Sequence, residues 1–171
     1  MSVEELRDLC VKDFPSSARR EEIMAGFDAI HDQLVSLGID GELWIDGSFT
    51  TRKMEPDDID FILVTDSGLR DTGTPEQIAF IDWLIDNERD PKNSFHCDTD
   101  VVFRFPEDSP WYEHFTGSVL RHWEEAVYGK SVSSGDPKGI VVISLATKPE
   151  EPPATADIPS TLSKGKEEKQ R

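Results

Sequence analysis

Two aspartates separated by one residue, Asp58 and Asp60, are the side chains of this sequence best suited to chemistry. The apolar run 61–64 follows them directly and predicts a β-strand. Because side chains alternate faces along a strand, both carboxylates should point the same way. Neighbouring carboxylates repel each other unless a cation neutralises them, and Mg²⁺ or Mn²⁺ is a usual partner for oxygen ligands. The pair therefore predicts a divalent-cation site that can recruit phosphate oxygens.

A turn suited to phosphate lies upstream of these two acids. Gly47 and Ser48 follow another apolar run, and they offer flexible backbone N–H groups and a hydroxyl. Lys53 lies in the connecting loop, where it could neutralise phosphate. We expect these three residues to bind the phosphate, with a plain tight turn and a solvated loop charge as the alternatives. Asp46 and Asp57 flank the segment and are expected to face solvent.

Gly-Ser, a spacer and Asp-x-Asp, in this order, resemble the signature of the DNA polymerase beta-like nucleotidyltransferase superfamily, above all its small stand-alone bacterial members. The resemblance extends roughly from Phe14 to Leu145, and residues 44–64 are its specific part. It implies a minimal nucleotidyltransferase fold. It also implies a metal-dependent enzyme that transfers a nucleoside monophosphate from a nucleoside triphosphate, such as ATP, to an acceptor hydroxyl.

In that superfamily a third carboxylate on a neighbouring strand completes the catalytic site. Asp98 and Asp100 both qualify, because they lie in the predicted strand 97–103 and alternation places them on one face. The segment around Asp98 is the more similar to the small relatives. The resemblance therefore implies Asp58, Asp60 and Asp98 as metal ligands, and Asp100 stays open as the alternative third catalytic acid.

A net charge of −17 restricts the partners of this chain. Nucleic-acid binding relies on a positive surface that contacts phosphates, so stable binding to DNA or RNA is not expected. A nucleoside triphosphate that arrives with its metal is compatible with this charge, and a basic protein partner would be attracted by it. Small relatives belong to bacterial toxin–antitoxin or phage-defence pairs, so the resemblance implies a protein or small-molecule acceptor.

Two other functions remain open on the sequence. A nucleotidyltransferase fold without turnover would act as a binding or regulatory module, whereas an acidic decoy would mimic nucleic acid through charge alone. No apolar run approaches the roughly 20 residues that span a membrane, and the first residues lack a signal-peptide pattern. Cys10 and Cys97 lack a metal-binding spacing and are expected to be reduced thiols. These features favour a cytoplasmic protein.

The elements that must position the acids follow an α/β pattern. Helical and strand patterns alternate along the chain, which predicts a small mixed sheet flanked by helices. One domain is expected over residues 1–147, followed by a disordered tail of prolines and charges over residues 148–171. Residues 90–93 are expected to form a loop.

Three segments predict the main helices. Apolar residues recur at helical spacing within 16–38, and Thr74 begins a second helix with capping chemistry. A third helix is expected from Ser109, with its aromatic residues, Trp111 and Phe115 among them, facing the core.

Overall fold

The computed structural model describes residues 1–86, 91–128 and 139–145, which form helices around a four-stranded sheet. The α-helices, α1 to α6 in chain order, span Val3–Arg7, Arg20–Ser36, Leu69–Thr72, Pro75–Ile85, Pro91–Phe95 and Ser118–His122. Wider π-helical turns continue α1 over Asp8–Lys12 and flank α6 over Glu113–Gly117 and Trp123–Val127. The strands, β1 to β4, span Gly41–Asp46, Ile59–Asp66, Cys97–Arg104 and Val141–Leu145. The α/β fold class is confirmed.

The sheet is mixed, as predicted. Its strand order is β3-β2-β1-β4, so β1 and β2 are the inner strands. β1 pairs with β2 and with β4 in antiparallel fashion, whereas β2 and β3 are parallel. A parallel pair needs a crossover connection, and α3, α4 and α5 lie in that connection.

One face of the sheet is packed against helices and forms the larger core; we call it the closed face. Phe61 and Leu63 of β2 alternate toward it and are fully buried. The apolar stripe of α2 lies on this face, and the ring of Phe27 meets Phe61 edge-on with centroids 5.6 Å apart. α4 adds Ile81 and Leu84 to the same core. The periodicity of α2 therefore predicted its buried side correctly.

The opposite face carries a smaller core and a cavity; we call it the open face. Ile62 and Val64 of β2 and Val102 of β3 point to it. Tyr128 is buried against them, and Trp123 packs from the last π-helical turn. Both faces of β2 are thus buried over most of its length, which explains its apolar run over residues 61–64.

The helix predicted from Thr74 begins as expected. The Thr74 hydroxyl accepts the backbone N–H of Gln77 at 3.2 Å, and the Gln77 side chain accepts the Thr74 N–H at 2.8 Å. These reciprocal bonds satisfy two groups at the helix start that have no partner inside the helix. α2 begins at Arg20, where the Ser17 hydroxyl accepts the backbone N–H at 3.2 Å.

The start of the third helix and the inward placement of its first aromatic residues were predicted wrongly, whereas Trp123 does pack against the core. Helical turns begin at Glu113 rather than at Ser109, and the side chains of Trp111 and Phe115 are 57% and 46% exposed. The chain is anchored to the sheet at Thr116, whose buried hydroxyl accepts the N–H of Phe105 at 2.8 Å. The rings of Trp111 and Phe115 instead pack against each other at the surface, with centroids 5.9 Å apart.

The expectation of a loop over 90–93 was also wrong from Pro91 onward. Proline suits the first position of a helix, and Pro91 opens the short helix α5. α5 packs against α2 at Gly26, where a Cβ would lie only 2.0 Å from the carbonyl oxygen of Phe95. This close approach fixes α5 beside the start of β3.

Several other predictions concern the ends of the chain and its thiols. The expected tail, residues 148–171, and the last two residues of the expected domain lie outside the described residues. Cys10 and Cys97 are free and buried. Within the described ranges, no helix has the length and apolar character needed to cross a membrane.

Candidate functional site

Three aspartates form a row across the open face at one end of the sheet. The register pairs Asp46 of β1 with Asp60 of β2, and Asp60 with Asp98 of β3. Directly paired residues share a face and neighbouring strands lie about 4.8 Å apart, so these side chains are neighbours. Asp58 lies just before β2 and acts electrostatically on Asp60. The structure thus brings together Asp58, Asp60 and Asp98.

Asp60 is at the centre of this row. Burial raises the pKa of its carboxyl to about 6, and repulsion from Asp58 and Asp98 acts in the same direction. The ammonium group of Lys92 opposes this shift without cancelling it. A cation close to Asp60 would lower this pKa, because an opposite charge favours the ionised carboxylate.

Gly47 brings the backbone against the carboxylate of Asp60. Its φ of 77° lies in the left-handed region that favours glycine. A Cβ built on Gly47 would lie 1.7 Å from Oδ2 of Asp60, so no larger residue fits without moving that carboxylate. The turn after β1 is therefore shaped around the central acid of the row.

Lys92 of α5 bridges two of the acids. Its ammonium group donates to Oδ2 of Asp98 at 2.5 Å and lies 3.1 Å from Oδ2 of Asp58. The hydrogen bond to Asp98 is the main cause that raises the pKa of Lys92 above its ordinary value. The lysine side chain is 48% exposed, and those of the two acids are more buried. A half-exposed cation thus lies against two of the acids, Asp58 and Asp98.

Arg20 holds the loop that follows Gly47. Arg20 is 1% exposed, and its guanidinium donates to the carbonyl oxygens of Phe49 at 2.7 Å, Thr51 at 2.9 Å and Lys53 at 2.5 Å. Hydrogen bonds from a charged donor are stronger than neutral ones, so these contacts fix the path of the loop. The loop between Gly47-Ser48 and Asp58 is therefore held in place by a side chain of α2.

A cavity of about 450 Å³ opens beside the acidic row. Its lining includes the acids Asp60, Asp98 and Asp100 and the aromatic residues Trp123 and Tyr128. The two aromatic rings meet edge-on with centroids 5.0 Å apart. Burial, with a contribution from the carboxylates led by Asp60, holds the pKa of Tyr128 above its ordinary value, so its phenol stays protonated. The cavity therefore offers both carboxylates and aromatic surface.

The remaining predicted residues lie around this centre. Ser48 is half-buried in the turn, and its carbonyl oxygen accepts the hydroxyl of Thr51 at 2.8 Å. Lys53 is directed to the loop surface, where its ammonium contacts Asp57 at 2.9 Å. Asp100 is exposed at the cavity two residues beyond Asp98. The structure thus places Asp98 directly beside Asp60 and Asp100 farther along the same strand.

Three residues of the site were not found from the sequence. Asp46 was expected to face solvent, which is wrong, because it is only 4% exposed beside Asp60. Its place at the end of an apolar strand and next to Gly47 was the available signal. Arg20 lies within the predicted helical segment 16–38 and was not singled out, and Lys92 lay in a predicted loop. Nothing local in the sequence distinguishes either of them.

The acids offer the type of ligand that magnesium and manganese prefer, but their side chains are not grouped around a common point. Asp58, Asp60 and Asp98 supply only oxygen donors, which suit Mg²⁺ or Mn²⁺. Among the residues that the structure describes, no three acidic, histidine or cysteine side chains already form a group that could hold a metal. Lys92 contacts two of these carboxylates, so an ion would have to take the place of its ammonium group.

Comparison with known proteins assigns the chain to a family. The model of a family of unknown function, DUF6932, matches residues 1–144, so the chain belongs to that family. The match includes β1 to β3 with all the acids described above. No curated protein and no solved structure matches the chain.

Proposed function

We propose that this member of the DUF6932 family is a metal-dependent nucleotidyltransferase. It would transfer a nucleoside monophosphate from a nucleoside triphosphate to an acceptor hydroxyl. The observation that carries the proposal is the side-by-side register of Asp60 and Asp98, with Asp58 acting on the same centre and the backbone of Gly47 against it. This arrangement agrees with the resemblance of the motif to the DNA polymerase beta-like nucleotidyltransferase superfamily.

Asp58, Asp60 and Asp98 are the residues that would hold Mg²⁺ or Mn²⁺ in this reaction. The bound ion would supply activation of the acceptor hydroxyl and neutralisation of triphosphate charge. The raised pKa of Asp60 has a direct consequence for loading, because a ligating carboxylate must be ionised. Below about pH 6, metal binding at this centre must displace a proton from Asp60. The site should therefore load more weakly in acid.

The cavity beside the acids is the proposed place for the organic part of a substrate. Its volume of about 450 Å³ lies within the usual range of small-molecule pockets. Trp123 and Tyr128 offer apolar and ring surface on which a base or an acceptor ring can stack. Gly47 and Ser48 would receive phosphate on the other side of Asp60, since their turn is built against that carboxylate. Asp100 lies at the cavity and would face the acceptor.

The charge of the chain guides the choice of acceptor. Long polyanions are repelled by a net charge of −17, which favours a small molecule or a basic protein. A protein hydroxyl would fit the toxin–antitoxin or defence setting of the small relatives that the motif resembles. Lys53 would serve phosphate only after leaving its contact with Asp57.

A catalytically inactive binding module is the second candidate function. It is favoured by one observation, the contact of Lys92 with Asp58 and Asp98. In that case the lysine would be a permanent partner of the acids, and the cavity would bind a ligand without turnover. The two functions differ in whether label is ever transferred.

A transfer assay separates these candidates. The full chain is incubated with each of the four α-labelled nucleoside triphosphates, Mg²⁺ and a cell lysate divided into protein and small-molecule fractions. We expect label in one fraction, with a mass increase of one nucleoside monophosphate on the acceptor. Asp60→Asn should abolish transfer, whereas Asp71→Asn, an exposed acid of α3, should behave as wild type. Absence of label with every triphosphate would reject the transferase and leave the binding module.

A further inference from the structure

We infer that Lys92 is an exchangeable counter-ion: its ammonium group pairs with Asp58 and Asp98 while the site lacks a metal, and with triphosphate once a divalent cation has taken its place. The inference rests on the proposed function, because it assumes that a metal and a triphosphate meet at these acids. It assigns a binding role to a residue outside the motif.

The geometry places the ammonium group where a cation is needed. Lys92 Nζ lies 2.5 Å from Asp98 Oδ2 and 3.1 Å from Asp58 Oδ2, so one group contacts two of the three proposed metal ligands. A single positive charge against two carboxylates leaves a net negative charge, and Asp60 adds to it. A dication compensates this charge better than an ammonium group does, so exchange is favourable when metal is present.

The position of Lys92 allows the exchange without rearrangement of the fold. The residue is the second of a short helix, and its side chain is 48% exposed beside acids that are 19% and 32% exposed. A flexible four-carbon stem lets the ammonium group leave one partner and reach another nearby. α5 itself is held in place by the close packing of Phe95 against Gly26. The backbone at Lys92 is therefore held in place by packing, whereas its half-exposed ammonium group can change partners.

Triphosphate is the partner that the displaced ammonium group would find. A cation that loses two carboxylates at a partly buried position needs another anion or full hydration. In the proposed reaction the metal arrives with a triphosphate, and lysine is a common phosphate ligand. The same residue would then weaken binding of the metal alone and strengthen binding of the nucleotide.

These opposite effects are measurable by calorimetry on the full chain. Mn²⁺ is titrated first into metal-free protein, and a non-hydrolysable nucleoside triphosphate is then titrated into protein saturated with Mn²⁺. The variants are Lys92→Met and Lys92→Gln, each checked for folding by its melting curve in chelator. Lys12→Met is the matched control, because Lys12 also bridges two carboxylates, those of Glu4 and Asp8, on another part of the surface.

We expect both Lys92 variants to bind Mn²⁺ on the order of tenfold more tightly than wild type, since two partly exposed ion pairs no longer compete. They should bind the triphosphate roughly fivefold or more weakly, because a charge-assisted contact is lost. Lys12→Met should match wild type in both titrations. Unchanged or weaker Mn²⁺ binding in the Lys92 variants, or unchanged triphosphate binding, overturns the inference while the proposed function stands. Failure of wild type and all variants to bind Mn²⁺ or triphosphate rejects the proposed function itself.

Discussion

The two faces of the inner strand β2 differ in whether their side chains are apolar or charged. On the closed face, Phe61 and Leu63 are fully buried under α2 and α4 and carry no charge. On the open face, the charged residue Asp60 lies near the start of the strand, and the apolar residues Ile62 and Val64 come after it. One face therefore stabilises the fold, and the other combines a small core with a charged row.

The fold tolerates charge on its open face for a physical reason. Burial of an ionised group is costly without a partner, and the closed face is filled by apolar side chains. The open face has a cavity beside Asp60 and Asp98 and a lysine against Asp98. The open face can hold the row of acids because solvent and Lys92 reach it. The compensation is incomplete, since the pKa of Asp60 is still raised.

The largest expected effect is on the closed face. Phe61→Ala should lower the free energy of unfolding by about 3–5 kcal/mol, because it removes a fully buried ring and leaves a hole between β2 and α2. Trp123→Ala, on the open face, should cost only about 1–2 kcal/mol, because the indole is partly exposed. Urea unfolding of both variants measures the difference. Equal losses would show that the two faces contribute alike.

The turn at the open end of the sheet is expected to be the next most sensitive point. Gly47→Ala should cost about 2–3 kcal/mol, since it combines a left-handed φ with a clash against Asp60. It should also remove Mn²⁺ binding by displacing that carboxylate. Gly139→Ala is the control, because a Cβ there meets no atom within 4 Å. Urea unfolding and Mn²⁺ titration test both variants, and a Gly47→Ala protein as stable as wild type would contradict the described turn.

A smaller effect is expected from the charge of Asp60 and should depend on pH. Because the folded protein raises the pKa of Asp60 to about 6, it binds this proton more tightly than the unfolded chain. Stability from this group is therefore fully present below the ordinary pKa near 4, is lost as the pH rises to about 6, and is constant above. Asp60→Asn should remove this loss of stability between about pH 4 and pH 6, because an amide does not ionise.

In chelator above pH 7, Asp60→Asn should be more stable than wild type by about 1–2 kcal/mol, a range reduced for partial exposure of the group. At pH 4 the two proteins should differ little. Asp71→Asn should show no such dependence. Unfolding curves at both pH values provide the test, and a pH-independent difference between wild type and Asp60→Asn would show that Asp60 is not the strained group.

The sequence predicted most of the fold because the decisive signals were local. Apolar runs fixed β2 and β3, and alternation placed Asp60 and Asp98 on faces that the register then joined. The capping pattern at Thr74 fixed the start of α4. Such signals need only neighbouring residues, which a single sequence supplies.

The parts that were missed depend on contacts between distant segments. Lys92 reaches Asp58 only because α5 packs on α2, and its loop-like sequence gives no sign of that. Arg20 binds carbonyl groups 29 to 33 residues away. Asp46 is buried in a strand that pairs it with Asp60, a partner 14 residues away along the chain. The candidate site was therefore located from the sequence, while its counter-ion and its support were not.

Metal-dependent triphosphate binding at the acidic row is the central claim, and one calorimetric experiment tests it most directly. A non-hydrolysable analogue of each of the four nucleoside triphosphates is titrated into wild type, Asp58→Asn/Asp60→Asn and Asp71→Asn, with Mg²⁺ and with chelator. We predict that wild type and Asp71→Asn bind at least one analogue only with Mg²⁺, and that the double variant binds none. Equal binding in chelator, equal binding by the double variant, or no binding by wild type at millimolar concentrations would contradict the claim.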